Sequence, residues 1–168
     1  MQGKPVVALV DELIAAEKTI EGEPDWRHVG NGDEQRLVLP LFIDGVSTNA
    51  AIEVDAYPNT STLQFRIMLR VGKCVWRIDY TDWEPHVNPL DTISEISPLR
   101  FTEPHFHSWK DNRRYCTMAS LPSRLRIARP LSAKFRGFDA AFRWFCSEVN
   151  IVQPLSGMVY LPSRTRLM

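Results

Sequence analysis

The sequence predicts an α+β fold: a four- to five-stranded antiparallel sheet, with an N-terminal and a C-terminal helix on one face. Three observations predict it. Apolar residues recur at helical spacing near both ends of the chain, and at a spacing of two between residues 26 and 80. Residues 81–123 then lose all periodicity while holding five prolines and three of the four histidines. That stretch is expected to be an irregular segment lying over one edge or end of the sheet.

Taken in order, residues 5–18 read as an amphipathic helix with Val6, Val10, Leu13, Ile14 and Glu17 on one stripe. Pro5 suits a first helical turn, and Gly22 and Pro24 end the region. Leu37, Leu39, Leu41 and Ile43 alternate along the first long strand. Pro40 cannot donate to a ladder, so this strand is expected at an edge or with a bulge. Asp44-Gly45 makes a tight turn into a strand with Val46, Thr48, Ala50, Ile52, Val54 and Ala56 on one face. Leu63, Phe65, Ile67, Leu69 and Val71 form the next face, with Gln64, Arg66 and Arg70 opposite. Gly72-Lys73 turns into a strand over 74–80, which completes a meander. Residues 124–129 add a short fifth strand. Phe138, Ala141, Phe142, Phe145, Cys146 and Val149 give a helical stripe over 134–149. The 168 residues are expected to form a single domain over 1–168, closed by an irregular C-terminal tail over 152–168.

Composition narrows the class. Hydrophobic residues make up 44% and charged residues 24%, as in an ordinary soluble protein. No apolar run approaches the roughly 20 residues that span a bilayer. Asp11 and Glu12 interrupt the only signal-like stretch, so a cytoplasmic location is expected. Cys74, Cys116 and Cys146 form no CxxC pair and read as reduced thiols rather than a disulfide framework. Residues 1–84 carry 14 acids and 8 bases, while residues 85–168 carry 6 acids and 12 bases. The basic half is expected either to attract phosphate backbones, such as RNA, or a protein partner, or to dock on acidic surface of the same chain or of a second copy in a homodimer.

The residues with chemistry lie in two echoing tetrapeptides. Glu84-Pro85-His86-Val87 is followed 19 residues later by Glu103-Pro104-His105-Phe106, and His107 closes an HxH pair. Imidazole transfers protons near pH 7 and binds borderline metals. On an extended segment His105 and His107 share one face, with Cβ atoms roughly 6–7 Å apart. Asp79, Asp82, Glu84, Glu103 and Asp111 supply carboxylates nearby, and Arg113 and Arg114 supply guanidinium groups. Two mechanisms fit. In one, His86, His105 and His107 hold a divalent metal such as zinc that activates water. In the other, no cofactor is needed. Then His86 and His105 are the acid/base pair for a phosphodiester, His107 orients, and Arg113 and Arg114 clamp the phosphate. A purely structural use is also open, because imidazoles in turns bond backbone carbonyls. His28 stands apart and is expected to be structural. Trp76, Trp83, Trp109 and Trp144 are expected in the core or as loop anchors rather than as base-stacking platforms. Leu121-Pro122-Ser123-Arg124-Leu125-Arg126 is echoed by Leu161-Pro162-Ser163-Arg164-Thr165-Arg166, two similar basic turns. The chain has no P-loop, GxGxxG, GxSxG or HExxH. His105 to Asp111 lacks the glycines and the Glu of a cupin metal motif.

Arg77-Ile78-Asp79, Pro85-His86-Val87-Asn88-Pro89, Pro104-His105-Phe106-His107 and Phe142-Arg143-Trp144-Phe145-Cys146-Ser147-Glu148-Val149-Asn150-Ile151 together resemble a small, uncharacterised bacterial and prophage-associated domain family, across about residues 60–151. The resemblance implies no activity. It implies that His86, Asn88, His105 and His107 matter, and its mobile-element setting implies a toxin, defence or counter-defence role. The expected function is a histidine-dependent, RNA-directed, ribonuclease-like phosphodiesterase. The alternative is a non-catalytic interaction protein that binds a nucleic-acid-processing complex.

Overall fold

A computed structural model of the chain describes residues 5–30, 32–81, 85–92, 96, 98–152 and 159–163. Helix α1 covers Val6–Ala15; strands β1 (Thr19–Ile20) and β2 (Trp26–His28) follow. The long strands are β3 (Gln35–Ile43), β4 (Val46–Ala56), β5 (Phe65–Val71) and β6 (Lys73–Tyr80). Next come β7 (His86–Val87), β8 (Arg100–Phe101), β9 (His105–His107), helix α2 (Trp109–Asn112), β10 (Arg129–Pro130) and helix α3 (Phe138–Glu148). The fold is α+β with antiparallel pairing throughout these strands, as the periodicities predict.

The sheet is larger than the four or five strands expected. Eight strands join in the order β1-β3-β4-β5-β6-β9-β10, with β2 also on β3, and β7 and β8 form a separate ribbon. The additional strands are two or three residues long, too short for a period of two to register in the sequence. The segment 81–123 is therefore not wholly irregular: β9 crosses it and pairs with β6. The strand expected over 124–129 is present only as β10, at its far end.

Local chemistry sets the boundaries. Asp44 and Gly45 both take positive φ, 51° and 74°, the turn that matches strand twist in a two-residue hairpin. Pro40 sits beside a register shift between Pro40 and Phe42, the bulge its missing N–H requires. The first helix stops at Ala15, short of residue 18, because Lys18 folds back under it. Its Nζ donates to the carbonyls of Leu13 at 2.6 Å, Ile14 at 3.3 Å and Ala16 at 2.6 Å. The last helix starts four residues later than the stripe suggests. Gly137, at φ 87°, separates it from a 3-10 turn over Ala133–Phe135.

Alternation divides the sheet into two faces. Leu37, Val54, Ile67, Ile78 and Phe106 pair across five strands on the apolar face. Val10 of α1 and Ala141, Phe142, Phe145 and Cys146 of α3 share one buried cluster with that face. Trp76 and Trp109 lie in this core, and Trp144 stacks on Phe135, so three of the tryptophans anchor structure. Val159 is buried against the same cluster, whereas residues 153–158 and 164–168 of the expected tail, with Arg164 and Arg166, lie outside the described residues. The opposite face is polar, and it carries the site.

Candidate functional site

The polar face is an ordered row of alternating charges. Reading across β3, β4, β5, β6 and β9, Arg36 pairs with Asp55, Asp55 with Arg66, Arg66 with Asp79, and Asp79 with His105. One pleat along, Arg77 on β6 stands opposite His107 on β9. The row places His105 and His107 over an ion pair whose carboxylate is buried: Arg77 Nε donates to Asp79 Oδ2 at 2.6 Å. Arg66 Nε lies 3.0 Å from Asp79 Oδ1.

His86 reaches the same point from the β7–β8 ribbon. Its ring centroid lies 5.3 Å from that of His105 and 4.9 Å from that of His107, and the His105 and His107 centroids are 5.3 Å apart. One ring nitrogen from each lies within 4.8 Å of the others, close enough for the three to share one metal ion. His28 lies apart, exposed on β2.

The two ring nitrogens of His105 and of His107 face different partners. His105 Nδ1 bonds the Glu103 carbonyl and His107 Nδ1 bonds the Ile127 carbonyl, both at 3.0 Å. Their Nε2 atoms lie 3.5 Å and 3.3 Å from Asp79 Oδ2. The backbone-bonding role open to these imidazoles and their convergence therefore coexist on opposite sides of the rings. Arg77 also donates to His107 Nε2 at 3.0 Å, which leaves His107 the neutral Nδ1–H tautomer. His86 Nε2 bonds Asn88 Oδ1 at 3.0 Å. Asn88 is fixed in orientation, since Oδ1 also accepts the Ala128 N–H and Nδ2 donates to the Ala128 carbonyl.

Burial and charge set the protonation states. Burial pushes the His107 pKa down to about 4, against the pull of its Asp79 contact. Burial and the neighbouring charge of His105 lower His86, with the Asn88 bond opposing. Burial alone would raise the Asp79 carboxyl, but the contacts from His105 and His107 and the Arg77 charge outweigh it, and Asp79 stays ionised well below the usual carboxylate range.

Two cavities meet at His86. The outer cleft, about 410 Å³, is lined by Arg77, His86, Val87, Pro89, His107 and residues 124–126; among these described residues none is acidic. The inner cavity, about 70 Å³, is bounded by Arg66, Arg77, Asp79, Thr81, Pro85, His86 and His105. Arg126 also lies over the Tyr115 ring at 4.8 Å. A larger cavity of about 750 Å³ opens beside α1, but its walls are mainly apolar, and it holds none of the histidines.

Of the residues singled out in the sequence, His86, His105 and His107 come together. Arg113 and Arg114 line neither cavity at this site. Arg113 instead bonds Asp11 at 2.6 Å, joining α1 to the turn after α2, where Trp109 Nε1 also donates to Asp11. Asp111 is held by Arg129, and Asp82 and Glu84 lie outside the described residues. Among the described residues, the arginines that line the two cavities are Arg66, Arg77, Arg124 and Arg126. The signal for Arg66, Arg77 and Asp79 was their phase, since all three fall opposite the apolar positions of their strands. What the sequence did not supply was the pairing of β9 with β6.

Comparisons of the chain with protein-family models, with curated proteins and with solved structures found no match.

Proposed function

We propose that the protein is a small phosphodiester-cleaving enzyme acting on RNA. The observation that carries this reading is the cleft in which three arginines and two of the converging histidines meet with no acidic side chain among its described walls. Such a cleft attracts a phosphate and supplies guanidinium donors for its oxygens. His86, half-buried at the junction of the two cavities and lowered in pKa, is the base. It takes the proton of a ribose 2′-hydroxyl as that oxygen bonds to phosphorus. The bond from phosphorus to the 5′-oxygen breaks, and His105, facing Asp79, returns a proton to the leaving oxygen across the inner cavity. His107 holds Arg77, and Arg77, Arg124 and Arg126 hold the charged phosphoryl oxygens in place of Arg113 and Arg114. The products are a 2′,3′-cyclic phosphate and a 5′-hydroxyl.

The test is cleavage of a mixed RNA pool in excess chelator. The parent should leave cyclic phosphate ends, and His86→Ala and His105→Ala should each be slower by at least about 100-fold. A parent that cleaves nothing, with or without divalent metal, removes the reading. If that inactive parent still retains RNA or a protein partner through Arg124 and Arg126, the interaction-protein alternative takes its place. A toxin, defence or counter-defence setting belongs to this proposal, on the strength of the family resemblance.

A further inference from the structure

We infer that the histidine trio, with Asp79 beneath it, is also a binding site for one divalent cation of the zinc class, and that Arg77 is the internal cation such a metal displaces. Four observations carry this. First, His105 and His107 each bond a backbone carbonyl through Nδ1, the outer contact that fixes the ring of a metal-ligating histidine and presents Nε2. Second, those Nε2 atoms lie 3.5 and 3.3 Å from Asp79 Oδ2. Ligand atoms about 2.0–2.2 Å from a tetrahedral zinc stand roughly 3.3–3.5 Å from one another. Third, the inner cavity of about 70 Å³ touches His86, His105 and Asp79, and has space for an ion with a bound water. Fourth, Arg77 donates both to Asp79 Oδ2 at 2.6 Å and to His107 Nε2 at 3.0 Å. One guanidinium thus covers two of the atoms a metal would use.

Arg77 has somewhere to go, because it also lines the outer cleft. His86, on the two-residue strand β7, is the ligand that closes the set. The exchange replaces one positive charge by two beside Arg66, so Arg77 weakens metal binding in the parent protein. A bound metal would occupy the nitrogens used for proton transfer and so inhibit cleavage. That consequence rests on the proposed function, whereas the binding itself does not.

The experiment is calorimetric titration of the chelator-treated full chain with Zn²⁺, repeated with Co²⁺ to read a tetrahedral absorption band. Arg77→Met should bind one equivalent at least about tenfold more tightly than the parent, and His107→Ala should bind about 10–100-fold more weakly. An Arg77→Met variant that binds no more tightly than the parent, or a His107→Ala variant that binds equally well, overturns the inference. A second readout needs no variant: long-range ¹⁵N spectra of the parent with Zn²⁺. The Nε2 resonances of His105 and His107 should move while Nδ1 stays. Movement of Nδ1, or of neither nitrogen, overturns it as well.

Discussion

His107 has no surface exposure and keeps both ring nitrogens bonded, one to a carbonyl and one to a guanidinium. Protonating Nε2 would break the Arg77 bond and bury a second positive charge. Its pKa of about 4 in the fold lies below its ordinary value of 6.5, so the unfolded chain takes up the proton first as pH falls. Stability from this residue is full above pH 6.5 and is lost as pH drops toward 4. Asp79, held well below 3.8, adds a further loss below that point. Unfolding free energy from urea titrations should fall by roughly 2 kcal/mol between pH 7 and pH 4.5. His107→Gln keeps a donor for the Ile127 carbonyl but does not titrate, and it should flatten that part of the curve. An unchanged slope in the variant would place the titrating group elsewhere.

Two asparagines do the work of a strand partner for residues 126–128. Asn112 Oδ1 accepts the Arg126 and Ile127 N–H groups at 2.7 and 2.8 Å, while its Nδ2 donates to the carbonyls of Ser108 and Ile127. Asn88 holds Ala128 from the other side. These bonds fix the Ile127 carbonyl that orients His107, and they hold the arginines at the cleft. Asn112→Ala should cost about 3 kcal/mol and expose the Arg126 and Ile127 amides to faster hydrogen exchange. Lys18 does a comparable job at α1, where Lys18→Ala should cost about 2 kcal/mol in the same urea titration. These elements also show what was legible in the sequence. Val54, Ile67 and Ile78 announce their strands because alternation over seven or more residues is a strong signal. His105 and His107 share a face because a spacing of two does so on any extended segment, although three residues are too few to announce a strand. The pairing of β9 with β6 joins residues some 30 positions apart over only three register pairs, and the cap by Lys18 is a side chain folding onto the carbonyls of Leu13, Ile14 and Ala16; neither leaves a period to read. Arg113 and Arg114 lie close to the histidines in sequence, but Arg113 is oriented by Asp11, 102 residues away.

On the scale of the molecule, the uneven charge of the two halves has a structural use. Glu53, Asp55 and Asp79, from the acidic half, are mostly covered by arginines of the same sheet. Arg124 and Arg126, from the basic half, stay exposed at the cleft. The surface around His86 is therefore more positive than a net charge of zero suggests. Arg124→Glu with Arg126→Glu should weaken RNA retention by about 100-fold at low salt and flatten its salt dependence, as filter binding would read. The central claim is that the cleft seats a phosphate ester against these histidines. Its most direct test is titration of a nucleoside 3′-phosphate into the protein while the histidine ring resonances are followed by NMR. The His86 resonances should move with the added ester, return when inorganic phosphate competes, and stay still in the Arg124→Glu, Arg126→Glu variant. Rings that do not move at millimolar ester, or that move equally in that variant, would contradict the claim.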